Sequence, residues 1–340
     1  MQSTLAIGIL GLGSISEVHQ RNLSSLPKVR IAALWDFSLE RSQEVARRYP
    51  GCAVFADYRE LIERAPIDAL IIAIPPYAHD DQEILAARRR LPFLVEKPTA
   101  LTLAKARLVE REIVQSGVLH AVGYHNRYAP QVDRAKEQLA GSRAGMVLAH
   151  TFWKNGKGNL PTPHHIWLFQ KERSGGQLHE HTSHLLDLAR YLVGEVRSIY
   201  ARGAVIANHD DLPGYATTDV DGVHLEFANG AIGLVGCGHF TPRAYWWGLN
   251  ILTDRLIVEL DQGGVRTLRD GETAEYRPTP PNNSQHYHED VAFVEAVRRG
   301  DQRLLRSTYS DAMRSAAISL AANESEATGQ VIDLESFLLA

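Results

Sequence analysis

The stretch LAIGILGLGSISEVHQRNL, Leu5 to Leu23, decides the fold. Its apolar opening reads as a buried strand, with Gly8, Gly11 and Gly13 as breakers, and the polar run from Ser14 and Ile15 onward reads as a helix start. Strand, tight turn and helix together are the geometry of a dinucleotide site. Gly11 lets the turn form, Gly13 lets backbone approach a pyrophosphate, and the helix N-terminus presents free N–H groups and the positive end of its dipole. The third small position is Ser16 rather than Gly or Ala, which still permits close helix packing.

The flanking sequence strengthens this reading. A second apolar strand ends at Asp36, roughly twenty residues beyond the glycines, where a carboxylate accepts hydrogen bonds from a ribose 2′-OH and repels a 2′-phosphate. Asp36 is alternatively an N-cap, a task that Ser38 performs equally well. The expected cofactor is NAD; Arg41, one helical turn further, leaves NADP as the second choice. Strand and helix signals then alternate: strand Ala53 to Phe55, helix Tyr58 to Arg64, strand Ala69 to Ile74, helix Asp80 to Arg90, strand Phe93 to Val95. The fold class is therefore α/β, a doubly wound parallel sheet with helices on both faces. Ligands of such sheets sit at the carboxyl ends of strands, and Ile74, Pro75, His79, Glu96 and Lys97 fall there as cofactor contacts.

Composition narrows the class of partner. With 340 residues the chain has room for two domains. Lys plus Arg number 36 against 40 Asp plus Glu, a formal charge of −4, so no basic footprint for nucleic acid is expected. Apolar runs such as Ala69 to Ile74 are far shorter than the about 20 residues a membrane span needs. A strand pattern beginning at Leu5 leaves no signal-peptide pattern, and Cys52 and Cys237 give no disulfide framework, so a cytoplasmic protein is expected.

At VEKP, Val95 to Pro98, the chain resembles the two-domain glucose-fructose oxidoreductase, inositol dehydrogenase and MocA-like family. The resemblance rests on motifs in order: GILGLGSIS, IIAIPPYAH, VEKP, GYHNRY (Gly123 to Tyr128), GGQLHEHTSH, AFVEAVRRGDQ and DAMRSAAISLAANESEATGQVIDL. It implies an N-terminal Rossmann domain, taken here as residues 1–122, and a substrate-binding and oligomerising α/β domain, 123–340, with a large, mostly antiparallel sheet. The residues fit that division, since strand patterns dominate after about Met146 and Asn229-Gly230 between alternating runs signals a hairpin. A homodimer or homotetramer formed through that sheet is the expected assembly.

The same resemblance implies a role for Lys97 beside the nicotinamide, hydrogen-bonding the substrate hydroxyl, with Glu96 orienting it or touching the cofactor ribose; the plain alternative is a weak surface ion pair. The stretch GGQLHEHTSHLLDLARYL, Gly175 to Leu192, raises a second question. A zinc-protease helix needs HExxH, but Ser183 occupies the second histidine's place, and no Cys or carboxylate pattern makes His181 and His184 part of a metal nest with His164 or His165. On one continuous helix Glu180 and His184 share a face. The resemblance makes His184 the general base and Glu180 its orienting acid, in place of the family's usual Asp. His179 reads as a polar helix-start residue and Asp187 as structural.

For the substrate, the resemblance places Tyr124, His125 and Asn126 toward the cleft and gives Arg127 a structural task. Trp153, Lys154, His164, His165 and Trp167 supply a mixture of aromatic and polar groups that suits a polyol, with His181 as a further candidate contact; Trp153 and Trp167 read equally well as core or interface residues. Of Trp246-Trp247, one is expected to be buried in the sheet or an interface. The resulting expectation is an NAD-dependent oxidoreductase acting on a secondary alcohol of a sugar, inositol or related polyol. A redox-neutral glycosidase or epimerase that retains NAD, and a non-catalytic sugar sensor, stand as alternatives.

Overall fold

Repeated strand–helix signals build the first of two sheets. A computed structural model describes residues 3–154, 163–206, 215–279 and 284–340; the side chains of Lys154 and His165 lie outside the described residues. The first part runs β1 (Leu5–Leu10), α1 (Ser14–Ser25), β2 (Val29–Trp35), α2 (Leu39–Ala46), β3 (Ala53–Val54), α3 (Tyr58–Arg64), β4 (Ala69–Ile72), α4 (Gln82–Arg88), β5 (Phe93–Val95), α5 (Leu103–Ser116) and β6 (His120–Val122). The strands are parallel in the order β3-β2-β1-β4-β5-β6. The winding reverses between β1 and β4, so the ends of those two strands mark the ligand crevice of such a sheet. Ile7, Ile9, Ile71 and Leu94 are fully buried, each contributing about 1.5–3 kcal/mol.

The second part runs α6 (Pro130–Leu139), β7 (Ala144–Lys154), α7 (Lys171–Ser174), α8 (Gly176–Glu180), α9 (Ser183–Val193), β8 (Val196–Ala204), β9 (Val220–Phe227), β10 (Ile232–Thr241), β11 (Tyr245–Thr253), β12 (Ile257–Asp261), β13 (Gly264–Arg269) and β14 (Glu272–Tyr276). It closes with α10 (Gln285–Arg299), α11 (Tyr309–Thr328), β15 (Ile332–Asp333) and α12 (Leu334–Leu339). Its nine-stranded sheet has the order β14-β13-β12-β11-β7-β10-β9-β8-β15, antiparallel except for the β7–β10 pair. The Asn229-Gly230 turn joins β9 to β10, with the Gly230 N–H donating to Phe227 O at 2.9 Å. One face of the sheet buries Val147, Ala149, Val235 and Leu249, while Leu148, Ile232 and Leu234 are exposed on the other. At β11 a register shift between Tyr245 and Gly248 breaks the alternation. Trp246 is consequently half exposed and Trp247 partly buried, so neither is the buried sheet residue expected from simple alternation.

The chain divides into unit 1, Met1–Tyr128 with Ser284–Ala312, and unit 2, Ala129–Asn283 with Met313–Ala340. This differs from a single boundary after residue 122. The 3-10 turn His125–Tyr128 stays with unit 1, and α10 returns to it, because Phe293, Val294 and Ala296 bury against the core of Ile7, Leu23, Leu34 and Leu94. Among the described residues, no helix is long and apolar enough to cross a membrane.

Inside unit 2, Asp221 of β9 is buried and Glu326 of α11 is half-buried, its side chain 8% exposed. A Cβ built on Gly203 would lie 2.3 Å from Asp221 Oδ1 and 2.6 Å from Glu326 Oε1, so the two carboxyl groups converge there. Burial, followed by the hydrogen bond and charge of Asp221, pushes Glu326 up to about 8, and the pair holds a proton at neutral pH. A folded-state pKa above the unfolded one favours the protonated fold. Stability is thus fully present below about 4.5 and declines as pH rises through about 8, by on the order of a few kcal/mol. Glu326→Gln, which keeps a donor to Asp221 but does not titrate, is expected to flatten this decline; unfolding midpoints at pH 5 and pH 9 check it, and an unchanged pH slope contradicts it.

Candidate active site

In unit 1 the turn after β1 is shaped by steric necessity. Gly11 has φ +85, and a Cβ there would sit 2.3 Å from Ala73 O and 2.9 Å from Ile74 Cγ2, so any side chain drives β1 from β4. At Gly13 a Cβ would meet nothing within 4 Å, and Gly13 caps α1 with no side-chain hydrogen bond. The first N–H groups of α1 therefore open onto space that a methyl would begin to fill and a phosphate fits. Ser14 is exposed there, Ile15 packs against the core, and the buried Ser16 accepts from Gln20 Nε2 at 2.9 Å, which makes its small size a packing requirement.

At the end of β2, Asp36 Oδ2 accepts from Leu12 N at 2.8 Å and Oδ1 from Ser38 N at 3.0 Å, fixing the carboxylate against the glycine turn. Ser38 caps α2 through Arg41 N, so Asp36 is not its cap. Arg41 donates to Glu17 Oε1 at 2.7 Å and pairs with Glu44 at 3.4 Å. Two carboxylates answer its charge, which disfavours a 2′-phosphate. The donor set and the open turn fit an NAD-type dinucleotide. Ile74 is buried against Gly11, and Pro75 is half-buried at the start of the 3-10 turn Pro76–Ala78.

His79 departs from its expected place as a cofactor contact. Its side chain is 1% exposed and its Nδ1 pairs with the buried Glu83 one helical turn on, so the ring is turned into the protein. Tyr124 and Asn126 depart similarly from the cleft-facing role, being 2% and 5% exposed; Arg127 lies 5.7 Å from the Tyr124 ring. The cause is the 3-10 turn His125–Tyr128, which folds these side chains inward as Arg127 donates to Arg306 O at 2.6 Å and Asp311 Oδ2 at 2.5 Å. His125 alone of the three is half-buried, its ring stacked on His286 at 3.8 Å.

Glu96 and Lys97 follow β5 directly. Glu96 is buried, its Oε2 accepts from Lys97 N at 3.1 Å, and its Oε1 lies 3.1 Å from His19 Nε2. His19 Nδ1 is 2.7 Å from Asp290 Oδ1, and Asn22 donates to Asp290 Oδ2 at 2.8 Å. Burial alone lowers an imidazole's pKa, but Asp290 and then Glu96 outweigh it and raise His19 well above its ordinary value. Burial likewise raises Glu96, and the His19 hydrogen bond and charge overturn that, leaving it below the usual carboxylate range. The result is a buried chain that runs from Asp290 through a protonated His19 to an ionised Glu96, next to the half-buried Lys97. Glu289 is also fully buried, and burial followed by the Glu96 charge raises it well above its ordinary value, so it stays protonated. Sequence reasoning missed His19, Glu289 and Asp290, because nothing local links α1 to α10.

In unit 2, Gly175 and Gly176 both have left-handed φ, and a Cβ on Gly175 would lie 2.6 Å from His179 Cδ2. This double turn starts α8. His179 is buried, its Nδ1 2.8 Å from Ser319 Oγ, and Asp187 is buried, accepting from Ser315 Oγ at 2.5 Å; both are structural. Glu180 and His184 do not share one continuous helix as expected. α8 ends at Glu180 and α9 begins at Ser183, because Thr182 N–H, instead of bonding the carbonyl four residues back, shares Gln177 O with His181 N–H, and the ladder restarts with Leu186 N–H on Thr182 O. Glu180 is buried and His184 half-buried on either side of that break. His181 lies 3.2 Å from His239 Nε2 through its Nδ1, and its ring centroid is 5.0 Å from that of Trp153. Trp167 is half-buried in the 3-10 turn Pro163–Phe169, whereas the Lys154, His164 and His165 side chains lie outside the described residues. Among the described residues, no group of three His, Cys, Asp or Glu side chains is arranged to hold a metal ion.

Fold and dinucleotide turn together define an NAD-binding oxidoreductase. Residues 5–124 match the oxidoreductase family with an NAD-binding Rossmann fold, and residues 132–266 match the GFO/IDH/MocA C-terminal domain; the chain belongs to this family. Among curated relatives, a scyllo-inositol 2-dehydrogenase (NAD(+)) of Bacillus subtilis is 27% identical, with 98% of each chain covered. A myo-inositol 2-dehydrogenase of Thermotoga maritima is also 27% identical, over 68% of this chain and 67% of its own. The solved levoglucosan dehydrogenase in complex with NADH and levoglucosan superposes with a TM-score of 0.86 at 21% identity, covering 97% of this chain and 99% of that one, a likeness of fold.

Proposed function

We propose that this chain is an NAD-dependent dehydrogenase that oxidises a secondary alcohol of a sugar, inositol or related polyol. The observation that carries the reading is Lys97 at the carboxyl end of β5, anchored by the ionised Glu96, in a chain matched end to end by an inositol dehydrogenase. NAD, when bound, supplies the hydride acceptor. Lys97 donates a hydrogen bond to the substrate oxygen and stabilises its developing negative charge. His184 takes the hydroxyl proton, and Glu180 sets the orientation of its ring. Gly11, Gly13, Ser14 and Ile15 form the phosphate turn, Asp36 accepts from the ribose, and Ile74 and Pro75 line the crevice. Trp153 and His181 meet the substrate.

The setting we propose is the cytoplasm, as a homodimer or homotetramer joined through the nine-stranded sheet. The free cysteines Cys52 and Cys237 and the exposed Leu148, Ile232 and Leu234 support that reading. Offered NAD and a panel of inositols, sugars and sugar acids, the protein is expected to generate reduced nicotinamide absorbance with one of these classes; silence across the panel counts against the reading. NAD is expected to bind at least about tenfold more tightly than NADP, and Asp36→Ala to narrow that ratio to about threefold or less. Titration of both cofactors against intrinsic fluorescence checks this, and equal affinities in the unaltered protein contradict it.

A further inference from the structure

We infer that Gln177, anchored by Asp221, is a positioning residue of the reaction: its side chain fixes the turn whose carbonyl sets Glu180 and His184 on either side of the helix break. This rests on the roles proposed above for those two residues. α8 spans five residues, Gly176–Glu180, and is entered through two left-handed glycines, so its own helical stability is small and packing must locate it. Two of its ties reach α11: Asn323 Nδ2 donates to Gly175 O at 2.7 Å, and His179 Nδ1 lies 2.8 Å from Ser319 Oγ. The buried Gln177 reaches the sheet instead, its Nε2 donating to Asp221 Oδ2 on β9. That bond ties the turn to a second element.

Asp221 is arranged to accept that bond. Its Oδ1 converges with Glu326 Oε1 beside Gly203, while its Oδ2 takes the Gln177 amide and, at 3.9 Å, the thiol of the buried Cys237. Burial and then the Asp221 charge raise that thiol well above its ordinary value, so it stays protonated as a donor. An amide on a carboxylate is held more strongly than on a neutral acceptor, and removing it strips a buried oxygen of its best donor. The main chain of the same residue performs the second task. Gln177 O accepts from His181 N at 3.0 Å and from Thr182 N at 2.9 Å. A shift of residue 177 therefore moves the break, and with it the geometry between Glu180, the last residue of α8, and His184, in the first turn of α9. Proton transfer depends steeply on the placement of its groups, so the effect falls on kcat rather than KM.

The test is steady-state turnover of the full chain with NAD on myo-inositol, or on the member of the panel above that it turns over fastest. Gln177→Met keeps length and bulk and removes the donor. It is expected to lower kcat about tenfold with KM within about threefold, and to speed hydrogen exchange at the amides of His181 and Thr182. In a Glu180→Gln background the same change is expected to cost less than about twofold, because the geometry it protects is already lost. If Gln177→Met does not fold, Asp221→Asn carries the test: a neutral acceptor of the same shape is expected to lower kcat about threefold, again only where Glu180 is intact. A kcat within about twofold of the unaltered protein, with only the unfolding midpoint lowered, makes Gln177 a structural tie and overturns the inference, as does an equal loss in both backgrounds. Absence of turnover by the unaltered protein on every panel member removes the functional reading and this inference with it.

Discussion

Lys97→Ala is expected to lower turnover by a factor on the order of 10³ while NAD affinity stays within about threefold of the unaltered protein. Two separate parts of unit 1 account for that split. The cofactor turn is built by Gly11, Gly13 and Asp36 through backbone shape and the Leu12 and Ser38 amides, at the ends of β1 and β2 rather than of β5. The backbone at Lys97 is held by Glu96, itself clamped by His19 and Asp290, so truncation removes the ammonium and leaves its platform standing. Arginine is not expected to rescue, because a planar guanidinium replaces a point charge on a flexible stem. Isothermal titration with NAD, alongside turnover, separates the two effects; turnover within tenfold of the unaltered protein contradicts the role given to Lys97.

His184→Asn is the second large expected loss, about 10² to 10⁴ in kcat. Activity of the unaltered protein should fall toward acid as the imidazole takes a proton, and the variant should lose that acid limb. The substitution lies in the first turn of α9, whose Leu185, Leu186 and Leu188 are buried, and the half-buried position 184 lies outside that core. Folding is therefore expected to survive, with the unfolding midpoint close to that of the unaltered protein. A variant that keeps both rate and acid limb removes His184 as the base.

Unit 1 was legible because its signals are local. An apolar run, a glycine turn and an acidic residue roughly twenty positions on specify β1, α1 and the end of β2 without reference to distant sequence. Strand β5 falls at Phe93 to Val95 as its apolar run predicts, while β4 stops at Ile72, short of the expected Ile74, with Ala73 and Ile74 packed close against Gly11. The return of α10 was not legible, since its apolar stripe names no partner and only the fold brings Phe293 to Leu23.

The candidate site divides the same way. Lys97 and His184 were reached through the order of motifs rather than through any property of their own. The break at His181 and Thr182 was hidden because both residues are compatible with a helix, and competing bonds to Gln177 O decide the matter. His79 illustrates the limit of strand-end reasoning, and Tyr124 and Asn126 that of motif resemblance: each places a residue near the crevice without saying which way its side chain turns. His239 lies in an alternating strand and becomes visible only when β10 brings it to His181.

The most direct test of the central claim is the fate of a carbon-bound deuterium. With myo-inositol deuterated at every ring carbon, NAD and the purified protein, mass spectrometry of the cofactor is expected to show reduced nicotinamide carrying one deuterium and an oxidised product that has lost one. Deuterium returned to the carbon skeleton with no net reduced cofactor, or a cofactor left oxidised with this and every other deuterated polyol or sugar tried, contradicts the assignment as a dehydrogenase.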